Sequence, residues 1–212
     1  MKQEFSLPKG AIVLASESQT RRKMLTDAGV NFIARAANVD EVSMRDLALK
    51  TSMPLTDIAI MLAEMKASKV ARDNDENPSG FVLGVDQILV FDEQIFGKPK
   101  DFITASSQLR MLSGKTHQLM TAAVIYRDGE RIWHHLETPT LTMRPLSNKF
   151  IDQYLLAVGD NAFTSPGSYQ VEGLGANLFS RIEGCYFAVL GLPLLQTITF
   201  LNSHSLALRD RS

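Results

Sequence analysis

The chain has 212 residues, of which 45% are apolar and 21% charged, so it is long enough to bury a sizeable core. Its 22 basic and 23 acidic side chains leave a net charge of −1, which argues against broad electrostatic capture of DNA or RNA. The segment most like a membrane span, 186–201, is shorter than the roughly 20 residues required and contains Pro193. We therefore expect a cytoplasmic protein that binds neither nucleic acid nor membrane.

Strands and helices alternate along the chain. An apolar run at 11–15 predicts a buried strand, and residues 18–28 predict a helix that ends at Gly29. The further predictions, in chain order, are a helix at 55–71, strands at 81–85 and 88–91, a helix from Asp101 to about Leu112, strands at 116–126 and 131–143, a helix at 147–158, a strand at 178–182 and a helix at 192–201. Asp128-Gly129 predicts a hairpin, so we expect an α/β fold with a mixed sheet. Residues 72–80 and 159–167 are interpreted as surface connectors.

Cysteine and histidine residues predict neither a disulfide nor a metal centre. Cys185 is the single cysteine, and it is interpreted as a buried structural thiol in a reducing compartment. His134 and His135 are adjacent in a predicted strand, so their side chains would point to opposite sides and could not share a metal. We find no zinc-ligand spacing, Walker-type loop or Ser-His-Asp signature.

Two segments have the composition of phosphate-binding sites. Residues 16–22 (SESQTRR) follow a buried strand and begin a helix, whose free N–H groups can bind an anion with help from Ser16 and Arg21. In the segment 97–101 (GKPKD), Lys98 and Lys100 precede another predicted helix. The alternatives are a Ser-capped helix with solvated arginines in the first segment and a surface turn in the second.

Acidic residues occur at two further candidate positions. Asp86 closes an apolar strand, where a carboxylate can hold Mg²⁺ or Mn²⁺ or act as a base on water. Glu172 lies in a glycine-rich segment, 167–175, that is typical of a loop close to a ligand. The alternatives are a turn aspartate or a helix cap for Asp86, and a plain glycine-rich turn for the segment around Glu172. Lys66 follows Met65 on the helix at 55–71 and is interpreted as a solvated helix charge.

In combination, these segments resemble the Maf-like nucleotide pyrophosphatases. The matching segments are LASESQTRR (14–22), MLAEMKA (61–67), LGVDQ (83–87), GKPKD (97–101), LSGKTHQ (112–118), SYQVEGLG (168–175) and RIEG…VLGLPL (181–194). The resemblance implies one domain, 1–202, with two lobes around a mixed twisted sheet and a deep nucleotide-binding cleft, and a polar tail at 203–212. It also implies hydrolysis of a nucleoside triphosphate with a divalent cation. Proteins of this family often form homodimers.

The resemblance assigns roles to residues of this chain by position. Asp86 matches the catalytic aspartate and, with Glu41, is expected to hold the metal. The residues expected at the substrate phosphates are Ser16, Arg21, Lys66 and Lys98. The residues associated with the choice of base are Thr20, Gln87 and Glu172.

Two departures from the commoner family pattern bear on the substrate. The triplet at the aspartate is Val85-Asp86-Gln87 rather than ADT, and the loop 165–173 reads SPGSYQVEG rather than KAGAYGIQG. Both departures look like the subgroup that acts on 7-methyl-GTP rather than the one that acts on dTTP and UTP. A carboxylate such as Glu172 can accept from the two adjacent donors of a guanine edge. A pyrophosphatase acting on dTTP or UTP, and a non-catalytic nucleotide-binding regulator of cell division, remain the alternatives.

Overall fold

The computed structural model describes residues 10–72 and 80–207. The helices are α1 Gln19–Asp27, α2 Glu41–Lys50, α3 Leu55–Arg72, α4 Phe102–Leu112, α5 Asn148–Val158, α6 Tyr186–Val189 and α7 Leu194–Ser203. The strands are β1 Ile12–Ala15, β2 Phe32–Ala34, β3 Phe81–Phe91, β4 Gln94–Phe96, β5 Thr116–Arg127, β6 Glu130–Glu137, β7 Thr140–Met143 and β8 Phe179–Glu183. Short 3₁₀ helices lie at Gly159–Phe163, Pro166–Ser168 and Leu174–Leu178. The predicted α/β fold with a mixed sheet and flanking helices is confirmed.

Local signals account for several element ends. The side chain of Asp101 accepts a hydrogen bond from the Thr104 amide and begins α4, as predicted. Asp128 and Gly129, the two residues between β5 and β6, have φ values of +52° and +84°. Two consecutive positive φ values are what a tight hairpin turn requires, so the predicted hairpin is confirmed.

The structure corrects one predicted strand break and one predicted continuous strand. The strands expected at 81–85 and 88–91 form one continuous strand, β3, because Asp86 is paired within the fold and does not interrupt the backbone ladder. The single strand expected at 131–143 is divided into β6 and β7 around Pro139, which has no N–H to donate to a ladder. The elements that sequence patterns missed are β2, β4, α2 and α6.

Two compact units make up the chain. Of the described residues, the first unit contains 10–72, 80–86, 121–136 and 191–207. In it β1 pairs in parallel with both β2 and β3. Helix α3 packs very close to β3, because a Cβ on Gly84 would collide with the carbonyl oxygen of Ala63 and lie 2.8 Å from the Cβ of Ala67.

The second unit contains residues 87–120 and 137–190. Here the end of β3 pairs antiparallel with β4, and β7 pairs antiparallel with both β5 and β8. Its core includes buried side chains from α4, α5, the strands and the 3₁₀ helix at Leu174–Leu178, namely Leu89, Leu109, Leu112, Leu141, Met143, Ile151 and Leu178. Neighbouring strands of the chain follow the order β2-β1-β3-β5-β7-β8, with β4 on β3 and β6 on β5.

Some expectations concern termini, connectors and surfaces. Most of the connector predicted at 72–80, and residues 208–212 of the predicted tail, lie outside the described residues. Cys185 is partly exposed at the start of α6, beside the exposed Tyr186, so the prediction of a buried thiol is wrong. Among the described residues, no helix has the length and apolar character to cross a membrane. The single domain 1–202 with a deep cleft stays a prediction.

Candidate active site

A buried ion pair joins α3 to β3 in the first unit. Gly84 and Asp86 share one face of β3, because strand side chains alternate, and this is the face on which α3 packs. The ammonium of Lys66 donates to Asp86 Oδ1 at 2.5 Å and lies 2.8 Å from Glu41 Oε1. Lys66 is only 8% exposed and Asp86 4% exposed. The ammonium therefore bridges two carboxylates.

The position of Lys66 corrects the sequence interpretation of α3. We expected Lys66, which follows Met65, to be a solvated helix charge. Instead Lys66 lies on the buried face, whereas Met65 is partly exposed and Lys69 exposed. The buried face also carries Ala63 and Ala67, since the close approach to Gly84 leaves room only for small side chains. Pairing with Asp86 offsets the cost of burying the ammonium.

Arg21 is held by three hydrogen bonds. Its Nε donates to the Gly191 carbonyl at 2.7 Å, and its Nη1 donates to the Val85 carbonyl at 3.1 Å and to Ser16 Oγ at 3.2 Å. Ser18 caps α1 by accepting from the Arg21 amide at 3.4 Å. The Ser-capped helix of the alternative interpretation therefore exists, but Arg21 is turned inward rather than solvated. Its guanidinium lies beside the residue that precedes Asp86.

We name this group of residues the charged cluster: Ser16, Arg21, Glu41, Lys66 and Asp86. Burial is the largest influence on the pKa values of two of them, Asp86 and Arg21. Burial raises the pKa of Asp86 and outweighs the opposing effect of Lys66, and Glu41 raises that pKa further. Burial also lowers the pKa of the Arg21 guanidinium, while Asp86 and Glu41 act in the opposite direction. A carboxylate with a raised pKa is a stronger base than an ordinary aspartate, so Asp86 is suited to accept a proton from water.

Two carboxylates of the charged cluster could serve as ligands for a divalent cation. Among the described residues, no group of three or more His, Cys, Asp or Glu side chains is arranged to hold a metal. Mg²⁺, however, is commonly bound by one or two carboxylates together with substrate phosphates and water. Asp86 and Glu41 supply two such carboxylates, joined through one ammonium. The donor set fits a cation that arrives with its phosphate substrate rather than one held by protein ligands alone.

The structure brings five of the nine predicted site residues together in the charged cluster. Thr20 is partly buried on α1 in the first unit. Lys98 and Glu172 are exposed in the second unit, just after β4 and in the loop 169–173. Gln87, also in the second unit, donates through its amide nitrogen to the Ala188 and Val189 carbonyls at 2.8 and 3.3 Å. The roles given to these four residues stay predictions.

A neutral contact in the second unit was not anticipated. His117, which is 2% exposed on β5, shares a 2.7 Å hydrogen bond through Nε2 with the hydroxyl of Tyr169. Burial lowers the pKa of His117 to about 4 and raises that of Tyr169. The available signal was strand alternation, which places His117 on the same side as the buried Leu119.

Comparison with known proteins places the chain in a family. A family model described as Maf-like protein matches residues 11–204. A nucleoside triphosphate pyrophosphatase of Hyphomonas neptunium is 47% identical over 191 residues, which cover 90% of this chain and 94% of that protein. A 7-methyl-GTP pyrophosphatase of Rhizobium meliloti is 43% identical over 193 residues, covering 91% and 96%. One from Brucella abortus is 43% identical over 190 residues, covering 90% and 94%.

The chain therefore belongs to the Maf-like family of nucleoside triphosphate pyrophosphatases, hydrolases of phosphoanhydride bonds. The resemblance drawn from the sequence motifs is confirmed, and so is the predicted enzyme class.

Proposed function

We propose that the chain hydrolyses 7-methyl-GTP, or a closely related modified guanine nucleotide, to the monophosphate and pyrophosphate. Such an activity removes non-standard nucleotides from the pool. The observation that carries the chemistry is the bridge that the buried Lys66 ammonium forms between the buried Asp86 and the half-exposed Glu41. A polyphosphate is the substrate class that needs cations and a base together, because its transfer depends on positioning and charge stabilisation.

The proposed reaction is attack of water on the α-phosphorus. A bond forms from the water oxygen to that phosphorus, the bond to the bridging oxygen of the β-phosphate breaks, and pyrophosphate leaves. Asp86 accepts the proton of the attacking water, which its raised pKa favours. Arg21 and Lys66 stabilise the negative charge on the phosphates, with Ser16 as a hydroxyl donor.

Asp86 and Glu41 are the residues that would hold Mg²⁺ or Mn²⁺, which supplies neutralisation of phosphate charge when bound. Lys66 already contacts both carboxylates, so its ammonium keeps them in place before substrate arrives. The same ammonium reduces the repulsion between the two carboxylates.

The base preference rests on different residues. We assign Glu172, Gln87 and Thr20 to base choice, and Lys98 to the phosphates, from their positions in the family motifs. A guanine edge offers two adjacent donors that suit the Glu172 carboxylate, whereas uracil and thymine offer one donor flanked by two acceptors. Relatives named as 7-methyl-GTP pyrophosphatases support the guanine reading, and relatives with the broader name leave dTTP and UTP as the alternative.

Release of pyrophosphate from a nucleotide panel with Mg²⁺ or Mn²⁺ tests the proposal. The panel contains 7-methyl-GTP, GTP, dTTP, UTP and ATP, with metal-free reactions as controls. We expect the largest kcat/KM for 7-methyl-GTP. A larger value for dTTP or UTP would move the chain to the alternative substrate class. Absence of release from every nucleotide would contradict the enzymatic proposal and favour a nucleotide-binding regulator.

A further inference from the structure

One glutamine side chain connects two loops of the second unit. Gln108, partly buried on α4, donates from Nε2 to the Gly97 carbonyl at 2.8 Å. Its Oε1 accepts from the Gly167 amide at 3.0 Å. Both bonds have good length for N–H···O contacts, and together they use both ends of one amide group.

The two loops carry residues that the proposed function uses. Gly97 directly precedes Lys98, which is assigned to the phosphates. Gly167 begins the segment that leads to Glu172, which is assigned to the base. One side chain on a helix thus touches the backbone next to each assigned residue.

Neighbouring side chains closely enclose the backbone at Gly167. Gly167 has φ +75°, and a Cβ there would lie 2.7 Å from a ring carbon of Tyr169 and 2.8 Å from a methyl of Leu89. Beyond it, the Tyr154 hydroxyl donates to the Ser168 carbonyl at 3.0 Å. The Gly167 amide is therefore directed at one place, where Gln108 accepts from it.

The chemistry of this position favours glutamine over its neighbours in size. A glutamate could accept from Gly167 but, when ionised, could not donate to the Gly97 carbonyl. A methionine of similar length could do neither. Only a side chain with a donor and an acceptor at its end can make both contacts at once.

We propose that Gln108 is a positioning residue. It holds the loops that carry Lys98 and Glu172 in a fixed relative position, so that both residues can contact the same nucleotide. This inference rests on the proposed function, since it assigns the two loops to the phosphates and the base of the same substrate. Gln108 itself touches backbone only and takes no part in bond breaking.

The test compares Gln108→Met and Gln108→Glu with the wild-type chain. Losing both bonds in Gln108→Met should raise KM for 7-methyl-GTP about fivefold and lower the ratio of kcat/KM values for 7-methyl-GTP and UTP about fivefold, while kcat changes less than about twofold. Gln108→Glu keeps the bond to Gly167, so it should raise KM and largely keep the ratio. The matched control is Gln153→Met, an exposed glutamine on α5, which should alter none of these values.

A measurement independent of turnover follows the anchoring directly. Exchange of the Gly167 amide proton in ¹⁵N-labelled protein should be several times faster in Gln108→Met and unchanged in Gln108→Glu and Gln153→Met. Unfolding midpoints of all variants show whether a change in KM reflects general loss of structure.

Two outcomes separate the inference from the function on which it rests. An active wild-type chain whose Gln108→Met variant keeps KM, the substrate ratio and Gly167 exchange within about twofold would overturn the positioning role and leave the proposed function intact. A wild-type chain that hydrolyses none of the nucleotides contradicts the proposed function, and Gly167 exchange then decides the anchoring alone.

Discussion

The two units organise polar side chains in opposite ways. In the first unit the charged cluster buries an ammonium between two carboxylates, and burial shifts the pKa of Asp86 upward. In the second unit neutral groups make the buried polar contacts: His117 with Tyr169, and Tyr154 with Ser168. The pKa of His117 is lowered to about 4 and that of Tyr154 raised to about 12. Charge is thus concentrated where chemistry is proposed, whereas contacts that hold loops stay neutral near pH 7.

The variant with the largest expected effect on the charged cluster is Asp86→Asn, which removes the charge of the carboxylate and keeps the shape of the side chain. We expect kcat to fall about a thousandfold, because the base and metal ligand are lost. The free energy of unfolding should fall by less than the about 3 kcal/mol expected for a buried charge that loses every partner, since the Lys66 ammonium keeps Glu41.

Steady-state kinetics and urea unfolding check both parts, with the exposed Asp152→Asn as the control. The wild-type rate should also decline as pH is lowered through the raised pKa of Asp86, because the base must be ionised. Near-normal turnover by Asp86→Asn would remove Asp86 from the mechanism.

Lys66→Met tests whether the ammonium holds the charged cluster together. A buried carboxylate without its partner should lower the free energy of unfolding by about 3 kcal/mol. The stability of the variant should fall as pH rises above the ordinary aspartate value of 3.8, because its folded state retains a proton that the unfolded state releases, and it should fall further than that of the wild type, in which Lys66 opposes the rise in the pKa of Asp86. Lys69→Met, an exposed lysine on the same helix, is the matched control. Equal unfolding free energies for the two variants would show that the ion pair contributes nothing to stability.

His117→Gln tests the neutral buried contact between His117 and Tyr169 in the second unit. In the wild type the unfolded state binds a proton below pH 6.5 whereas the folded state does so only near pH 4, so stability falls as pH falls through that window. Between pH 7.5 and pH 5 this contribution is about 2 kcal/mol, and the variant should lack it. Urea unfolding at both pH values measures the difference, with His204→Gln as the exposed control. Identical pH dependence in wild type and His117→Gln would contradict a neutral buried imidazole.

Glu172→Gln tests whether Glu172, in the second unit, contributes to recognition of the nucleotide base. We expect the preference for 7-methyl-GTP over UTP to fall about tenfold, because an amide suits the mixed edge of a pyrimidine better than a carboxylate does. The kcat for the better substrate should remain within about threefold, since the charged cluster is untouched. Relative rates decide the matter, and an unchanged ratio would remove Glu172 from substrate choice.

Local patterns predicted much of the fold and less of the site. Caps and turns act over a few residues, so Asp101 and the pair Asp128-Gly129 could be placed from sequence. The buried position of Lys66 could not, because helical periodicity treats every lysine as polar and only a partner twenty residues away makes its burial favourable. Helix α2 was missed because its sequence carries no continuous apolar face, and in the structure only Ala48 is buried while Val42 and Leu47 are exposed.

Gly84 determines how far apart two layers of the first unit can be. Its missing side chain lets the backbone of α3 lie almost against β3, and that separation is spanned by Lys66 reaching Asp86. A methyl group at Gly84 would meet the carbonyl of Ala63 and the backbone of Ala67, so helix and strand would have to move apart. Lys66 is carried by that helix and Asp86 by that strand, so the position of the ion pair depends on a side chain that is absent.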